Sequence, residues 1–252
     1  MLEVSAKGSS LQCVILCLLS VLLGSLVVPA LALTVALDVG HSLARPGAMS
    51  ARGVPEFAFN RALAVVVQQA LEKQGFQVRL IGAQGDMRNL RARTRAAAGA
   101  DVFLSLHHDS VQPHYLETWV PEGVSHRFSD RFSGFSLFVS RSNPALSASL
   151  ACASQLGTAL RHAGFMPSEH HAEPIRGENR PFADRANGVH YFDDLVVLKT
   201  ATQPALLLEA GIIVNRTDEV SLQDPVTREK IAGAITTALQ ACLTGTPGHA
   251  LP

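Results

Sequence analysis

Three apolar stretches of this chain end in side chains that can ligate a metal or move a proton. Val35 to Val39 leads through Gly40 to His41, Val102 to Leu106 leads to His107-His108-Asp109, and Ala205 to Leu208 leads to Glu209. A fourth group, Glu56, opens the helix expected after the loop that follows His41. Two imidazoles and a carboxylate with an open fourth position are the donor set of a catalytic zinc site, and a further carboxylate can serve the bound water. Such a metal brings the water pKa to about 7, so that hydroxide is available at neutral pH. The chemistry requires the three stretches to be neighbouring parallel strands, because open α/β sheets bind ligands outside the carboxyl ends of their strands.

The residues alone leave some assignments open. Phe103, Ser105 and His107 share one face of their strand, and Leu104, Leu106 and His108 the other, so alternation does not say which histidine meets the crevice. Glu56 at a helix start could equally satisfy free N–H groups and the helix dipole. Glu209, directly after Leu206-Leu207-Leu208, is costly to bury without a partner, which favours function. His170, His171 and His190 fall in or beside a polar stretch from 166 to 188 and are expected on a solvated surface.

The elements that must position these groups can be read in order. Gly40 permits a sharp turn at the first strand end. After a loop from Ser42 to Pro55, a helix is expected from about Glu56 to Gln74. Its Phe59, Leu63, Val66, Val67 and Ala70 fall at helical spacing, and Gly75 closes it. Phe76 to Ile81 reads as a second strand, and Asp86 as the N-cap of a helix ending at Gly99. Gln112 to Gly134 reads as an irregular insertion whose Trp119, Phe128 and Phe132 form a wall or lid of the cleft. Phe135 to Val139 is a fourth strand, Pro144 to Ala163 a helix and Leu195 to Leu198 a short apolar segment. Asp224 and Pro225 open a last helix. Alternating strands and helices give an α/β fold, a single domain with a mostly parallel twisted sheet and helices on both faces.

Composition narrows the partners. The 252 residues carry 21 Lys and Arg against 21 Asp and Glu, with one Trp and two Tyr. With no basic stripe and few rings for stacking, nucleic acid is not an expected partner. Lys7, the apolar run from Leu11 to Val28 and the small-residue pattern Ala30-Leu31-Ala32 read as a signal peptide over 1–32, cleaved after Ala32. A retained anchor is the rival reading. Export to the periplasm or cell wall follows, with no stable membrane span after cleavage. Residues 33–245 form the catalytic domain on this reading, and 246–252 a frayed tail. Cys152 and Cys242, on two expected helices, are expected as buried apolar residues rather than as a disulfide.

The ordered motifs resemble those of the zinc-dependent N-acetylmuramoyl-L-alanine amidases, exported bacterial cell-wall enzymes. The first motif of that family stands here as Asp38-Val39-Gly40-His41, followed by Pro46-Gly47-Ala48, Gly53-Val54-Pro55-Glu56 and Asn60. Then come Asp86, Leu90, Arg93, Ala100-Asp101 and Ser105-Leu106-His107. The series ends with Pro204-Ala205-Leu206-Leu207-Leu208-Glu209-Ala210-Gly211 and Asn215. The resemblance spans the chain beyond the signal segment. It implies that His41, Glu56 and His107, rather than His108, are zinc ligands, that Zn2+ is the cofactor, and that Glu209 is the catalytic carboxylate. It implies peptidoglycan as substrate and leaves room for a protein activator or recruiter. Val39 stands in place of the family's usual proline, and Ser42-Leu43 in place of its glycines, so the loop beside the metal is stiffer. A zinc peptidase acting on stem peptides and a non-catalytic cell-wall binder on the same fold are the alternative readings.

Overall fold

The computed structural model describes residues 32–245, with Met1 and Leu2; the rest of the expected signal segment and the tail from 246 to 252 lie outside the described residues. In chain order the elements are β1 (Thr34–Val39), α1 (Glu56–Lys73), β2 (Gln77–Ile81), α2 (Leu90–Ala96) and β3 (Val102–Asp109). There follow β4 (Glu117–Trp119), β5 (His126–Phe128), β6 (Ser136–Val139), α3 (Leu146–His162), β7 (Phe182–Asp184) and β8 (Val189–Tyr191). The chain closes with α4 (Val196–Thr200), β9 (Ala205–Ile212), α5 (Arg216–Gln223) and α6 (Pro225–Thr244). Among the described residues no helix is long and apolar enough to cross a membrane.

Val35, Ala36, Leu37 and Val39 are all fully buried, as a strand covered on both faces requires. β1 sits between β2 and β3, parallel to both, and β3 is parallel to β9. The seven-stranded sheet runs β2-β1-β3-β9-β6-β8-β7. β6 joins β9 antiparallel, and β7 joins β8 antiparallel, so the sheet is mostly parallel but mixed. The three strands bearing the candidate chemistry are adjacent, and their carboxyl ends share one edge.

Strand alternation splits the core in two. Val35, Leu37, Leu104, Leu106, Leu206 and Leu208 pack on one face, where Leu63, Val67 and Leu71 of α1, Leu156 of α3 and Ile235 of α6 cover them. Ala36, Phe103, Leu207 and Phe138 project from the other face, against Val197 and Leu198 of α4 and Ala97 after α2. Odd-numbered positions of β3 and β9, from Phe103 to His107 and from Leu207 to Glu209, therefore lie on the α4 side.

Several sequence expectations need correction. The cap of α2 is Asn89, whose side chain accepts from the N–H groups of Arg91 and Ala92 at 3.0 and 3.2 Å, and not Asp86. The turn through Gly82 and Gly85, both at positive φ, delays the helix. β9 does not stop before Glu209 but runs to Ile212, which places that carboxylate inside the strand. Cys152 of α3 and Cys242 of α6 are disulfide-bonded rather than free. The packing of α3 on α6 brings them together, a tertiary fact that neither helix reveals alone. The stretch from 166 to 188 contains β7, and the insertion from 112 to 134 contains the β4–β5 hairpin.

Candidate metal centre

Each side chain of the first cluster is positioned by backbone that has little freedom. His41 follows β1 with φ at 67°, a left-handed conformation that costs roughly 1–3 kcal/mol for a residue with a Cβ. Arg93, 2% exposed, enforces it. Its Nη1 donates to Asp38 Oδ1 and to the Val39 carbonyl, each at 2.6 Å, and its Nη2 donates to the carbonyl of His41 itself. Ser105 Oγ donates to the other oxygen of Asp38 at 2.7 Å. The guanidinium thus ties the end of β1, and the residue beyond it, to the sheet.

Glu56, the first residue of α1, faces both histidines. Its Oε2 lies 2.9 Å from His41 Nε2 and its Oε1 lies 3.0 Å from His107 Nδ1. Asn60 Nδ2, one helical turn on, donates to Oε1 at 3.1 Å, and the Ala48 N–H donates to Oε2 at the same distance. Burial opposes ionisation of Glu56, but hydrogen bonds and charge from His107 and His41 outweigh it and hold the carboxyl below the usual range. Ligand atoms of His41, Glu56 and His107 all lie within 4.8 Å of one another. Zinc takes nitrogen and oxygen at about 2.0–2.2 Å, and this donor set suits it. A Cβ on Gly40 would come within 2.6 Å of three ring atoms of His107, and one on Gly47 would press on Glu56 Oε2. Both glycines make room for the cluster.

His108 is placed elsewhere. It faces α1, where its Nδ1 lies 2.7 Å from Asn60 Oδ1 and its ring packs on Phe59. Burial pushes its pKa down to about 3, so it is neutral.

Glu209 stands in the middle of the sheet, with His107 of β3 opposite it on one side and Ser136 of β6 on the other. Its Oε2 is buried and has no hydrogen-bond partner among the described side chains and backbone. Burial, then the charges of Asp109 and Glu56, push its pKa well above the carboxylate range. His41, His107, Asp109 and Glu209 all line one cavity of about 570 Å³.

The structure overturns two expectations around this cavity. His170, His171 and His190 are not on a solvated surface; they are 2%, 7% and 0% exposed. Nor do the aromatics of the insertion close the cleft, since only Gln112 of that segment lines the cavity. Trp119 instead donates to the Ala51 carbonyl at 2.9 Å, with the guanidinium groups of Arg52 and Arg216 lying 5.3 and 5.2 Å from its ring. The insertion buttresses the loop that carries Gly47 and Gly53. Sequence reasoning missed Asp109 and Arg180 in the cavity. Asp109 was within reach of it, being two residues from His107 on the same strand face.

Residues 35–241 match the family model described as N-acetylmuramoyl-L-alanine amidase. The chain belongs to that family. No curated protein matches it in sequence comparison. Among solved structures it is similar to the N-acetylmuramyl-L-alanine amidase Ami1 of Mycobacterium smegmatis, with 21% identity over 85% of this chain and 98% of that one, and a TM-score of 0.66. The catalytic domain of the amidase CwlV from Bacillus (Paenibacillus) polymyxa var. colistinus gives 24% identity, 84% and 98% coverage, and 0.63. The CwlD amidase of Clostridioides difficile, solved in complex with the GerS lipoprotein, gives 20%, 84% and 98%, and 0.59. At these identities the structural likeness speaks for the fold, and the amidase assignment stands on the family match.

Proposed function

We propose that this amidase is zinc-dependent, that His41, Glu56 and His107 hold the metal, and that Glu209 is the general base. The bond cleaved is the amide between the lactyl group of N-acetylmuramic acid and L-alanine of the peptidoglycan stem peptide. The observation that carries the reading is the convergence of two imidazoles on an ionised carboxylate, with both imidazoles and a second carboxylate on the next strand lining one cavity. A zinc ion there supplies a Lewis acid that polarises the carbonyl and acidifies water. Glu209 takes the proton of the attacking water on a carboxylate oxygen as the C–O bond forms. The same oxygen returns it to the alanine nitrogen as the C–N bond breaks. Asn60 and Ala48 keep Glu56 oriented, and Arg93 keeps His41 in place.

Export to the periplasm or cell wall accompanies this reading. The Cys152–Cys242 disulfide supports it, since such bonds persist in oxidising compartments. Peptidoglycan is the proposed partner, and the CwlD complex with a lipoprotein makes a protein recruiter or activator a reasonable second one.

Digestion of purified peptidoglycan followed by mass spectrometry tests the bond. Free stem peptides beginning with L-alanine are expected; products cut between stem amino acids would assign a peptidase, and no release would assign a binder. The base is tested with Glu209→Gln. Turnover should fall by ~10²–10⁴-fold while zinc content and folding survive. A variant keeping more than about a tenth of parental turnover, outside that range, removes Glu209 from the role.

A further inference from the structure

A second group of donors lies beyond Glu209, on the Asp109 side of the cavity. We propose that Asp109, His170 and His171 form a second metal site, for a divalent first-row cation that accepts imidazole nitrogen, zinc foremost. The site is separate from the cluster of His41, Glu56 and His107 and does not depend on the amide chemistry proposed above.

Its geometry is that of a built site. His171 Nε2 lies 2.7 Å and His170 Nε2 3.2 Å from the same oxygen, Asp109 Oδ2. All three donors fall within 4.8 Å of one another. The rings lie with centroids 3.9 Å apart, tilted by 38°, on one short helical turn, and both present Nε2 to the same oxygen. The far nitrogen of each ring is already held: His170 Nδ1 lies 2.9 Å from Ser168 Oγ, and His171 Nδ1 lies 2.7 Å from Glu178 Oε2. Metal-binding histidines are oriented in this way, with a carboxylate or hydroxyl on the second nitrogen fixing the tautomer and raising basicity.

The rival account is a proton in place of the metal, with His171 as an imidazolium between Asp109 and Glu178. That account leaves one atom unexplained. His170 is 2% exposed and its Nε2 has no hydrogen bond, the approach to Asp109 being too poorly aligned to make one. A cation beside Asp109 Oδ2 meets that lone pair as well as the one on His171. Glu178 adds negative charge behind the site, and its own balance comes from Arg180, whose guanidinium also lies 4.0 Å over Phe192. Asp109 and His171 line the cavity, which gives a cation a way in. Two imidazoles and one carboxylate favour zinc, iron, cobalt or nickel over magnesium or calcium.

The test counts metal rather than turnover. Protein freed of metal with a chelator is titrated with Zn2+ and assayed by mass spectrometry of elements, and with Co2+ by its visible absorption. Wild type should take two equivalents, and the pair His170→Asn/His171→Asn should take one. Circular dichroism establishes that the variant is folded. Glu178→Gln keeps all three ligands and should weaken one equivalent by about 10–100-fold, as loss of an orienting partner does, without touching the other. Loss of one equivalent from His41→Asn reports on the first site alone. One equivalent in wild type that His41→Asn abolishes, or two in the His170/His171 variant, or unchanged affinities in Glu178→Gln, would each overturn the second site.

Discussion

Replacing Arg93 by methionine tests whether the metal cluster depends on the buried ion pair beneath it. Arg93 and Asp38 are 2% and 1% exposed, and Arg93 meets three backbone carbonyls, those of Val39, His41 and Met87, as well as the carboxylate. Arg93→Met retains most of the volume but strands Asp38, to which only Ser105 would still donate. Breaking one side of a buried pair costs about 3–5 kcal/mol. Three carbonyls losing their donor place the expectation toward the upper part of that range, a fall in Tm of roughly 10 °C for a domain of this size. Asp38→Asn alone should cost less, because the guanidinium keeps three carbonyl acceptors and an amide oxygen can still accept from it. The double variant should cost less than the sum, the residue of the cycle being the coupling. The second readout is metal affinity. His41 is held at φ 67° by the bond from Arg93 to its carbonyl, so release of that bond should lower zinc affinity by about 10–100-fold. Urea unfolding and competition with a chromogenic chelator measure the two quantities. A folded Arg93→Met losing under about 1 kcal/mol, well short of the range for such pairs, with zinc affinity unchanged, would refute the reasoning.

Gly40→Ala should bind zinc at least about tenfold more weakly while remaining folded. Gly40 does not have positive φ, so the added methyl acts only by displacing the His107 ring, and elemental analysis reads the result as loss of a ligand does. Cys152→Ala/Cys242→Ala should lose about 4–5 kcal/mol, the chain-entropy value for a cross-link spanning some 90 residues; an unchanged denaturation midpoint would show the bond to be dispensable. His190 is wholly buried and burial, with the charge of His171, pushes its pKa down to about 4. Its folded pKa is below the unfolded 6.5, so the unfolded chain binds the extra proton and stability falls as pH drops from 6.5 toward 4. At pH 5 the penalty is about 2 kcal/mol, and His190→Leu should lose that part of the difference between unfolding at pH 7.5 and pH 5.

Much of the frame was legible because it rests on local periodicity. Phe59, Leu63, Val67 and Leu71 recur at helical spacing and are the buried face of α1, and the apolar runs of β1, β3 and β9 are buried on both sides. That three such runs lie side by side is what brings His41, His107 and Glu209 to one cavity, with Glu56 behind the two histidines. The misses share a different origin. Ala210 and Gly211 look like a turn, yet β9 continues to Ile212 because β3, with its irregular register after His107, still offers a partner. Polarity made the stretch from 166 to 188 look like surface, whereas its histidines are buried against distant elements, on the carboxylate of Asp109 and the ring of Phe138. Buried polar groups that satisfy each other leave no period in the sequence. The cysteine pairing was invisible for the same reason.

The charge around Glu209 bears on how the proposed cations would act. Burial, then Asp109 and Glu56, raise the Glu209 pKa, and Arg180 opposes them. A carboxyl so placed resists the ionisation that a base requires. The same environment makes it a strong acceptor once ionised, because the proton it takes relieves burial and two repulsions together. Positive charge among His41, Glu56 and His107 offsets the Glu56 contribution, and a cation on Asp109 offsets the other. Metal loading and the ionisation of Glu209 are therefore linked, and the metal-free protein should hold that carboxyl neutral to higher pH than the loaded one. Carboxyl infrared absorption, assigned by its loss in Glu209→Gln, reads the state directly. A neutral Glu209 that persists at the same pH after zinc is added would break the link, and with it the case for Glu209 as the base.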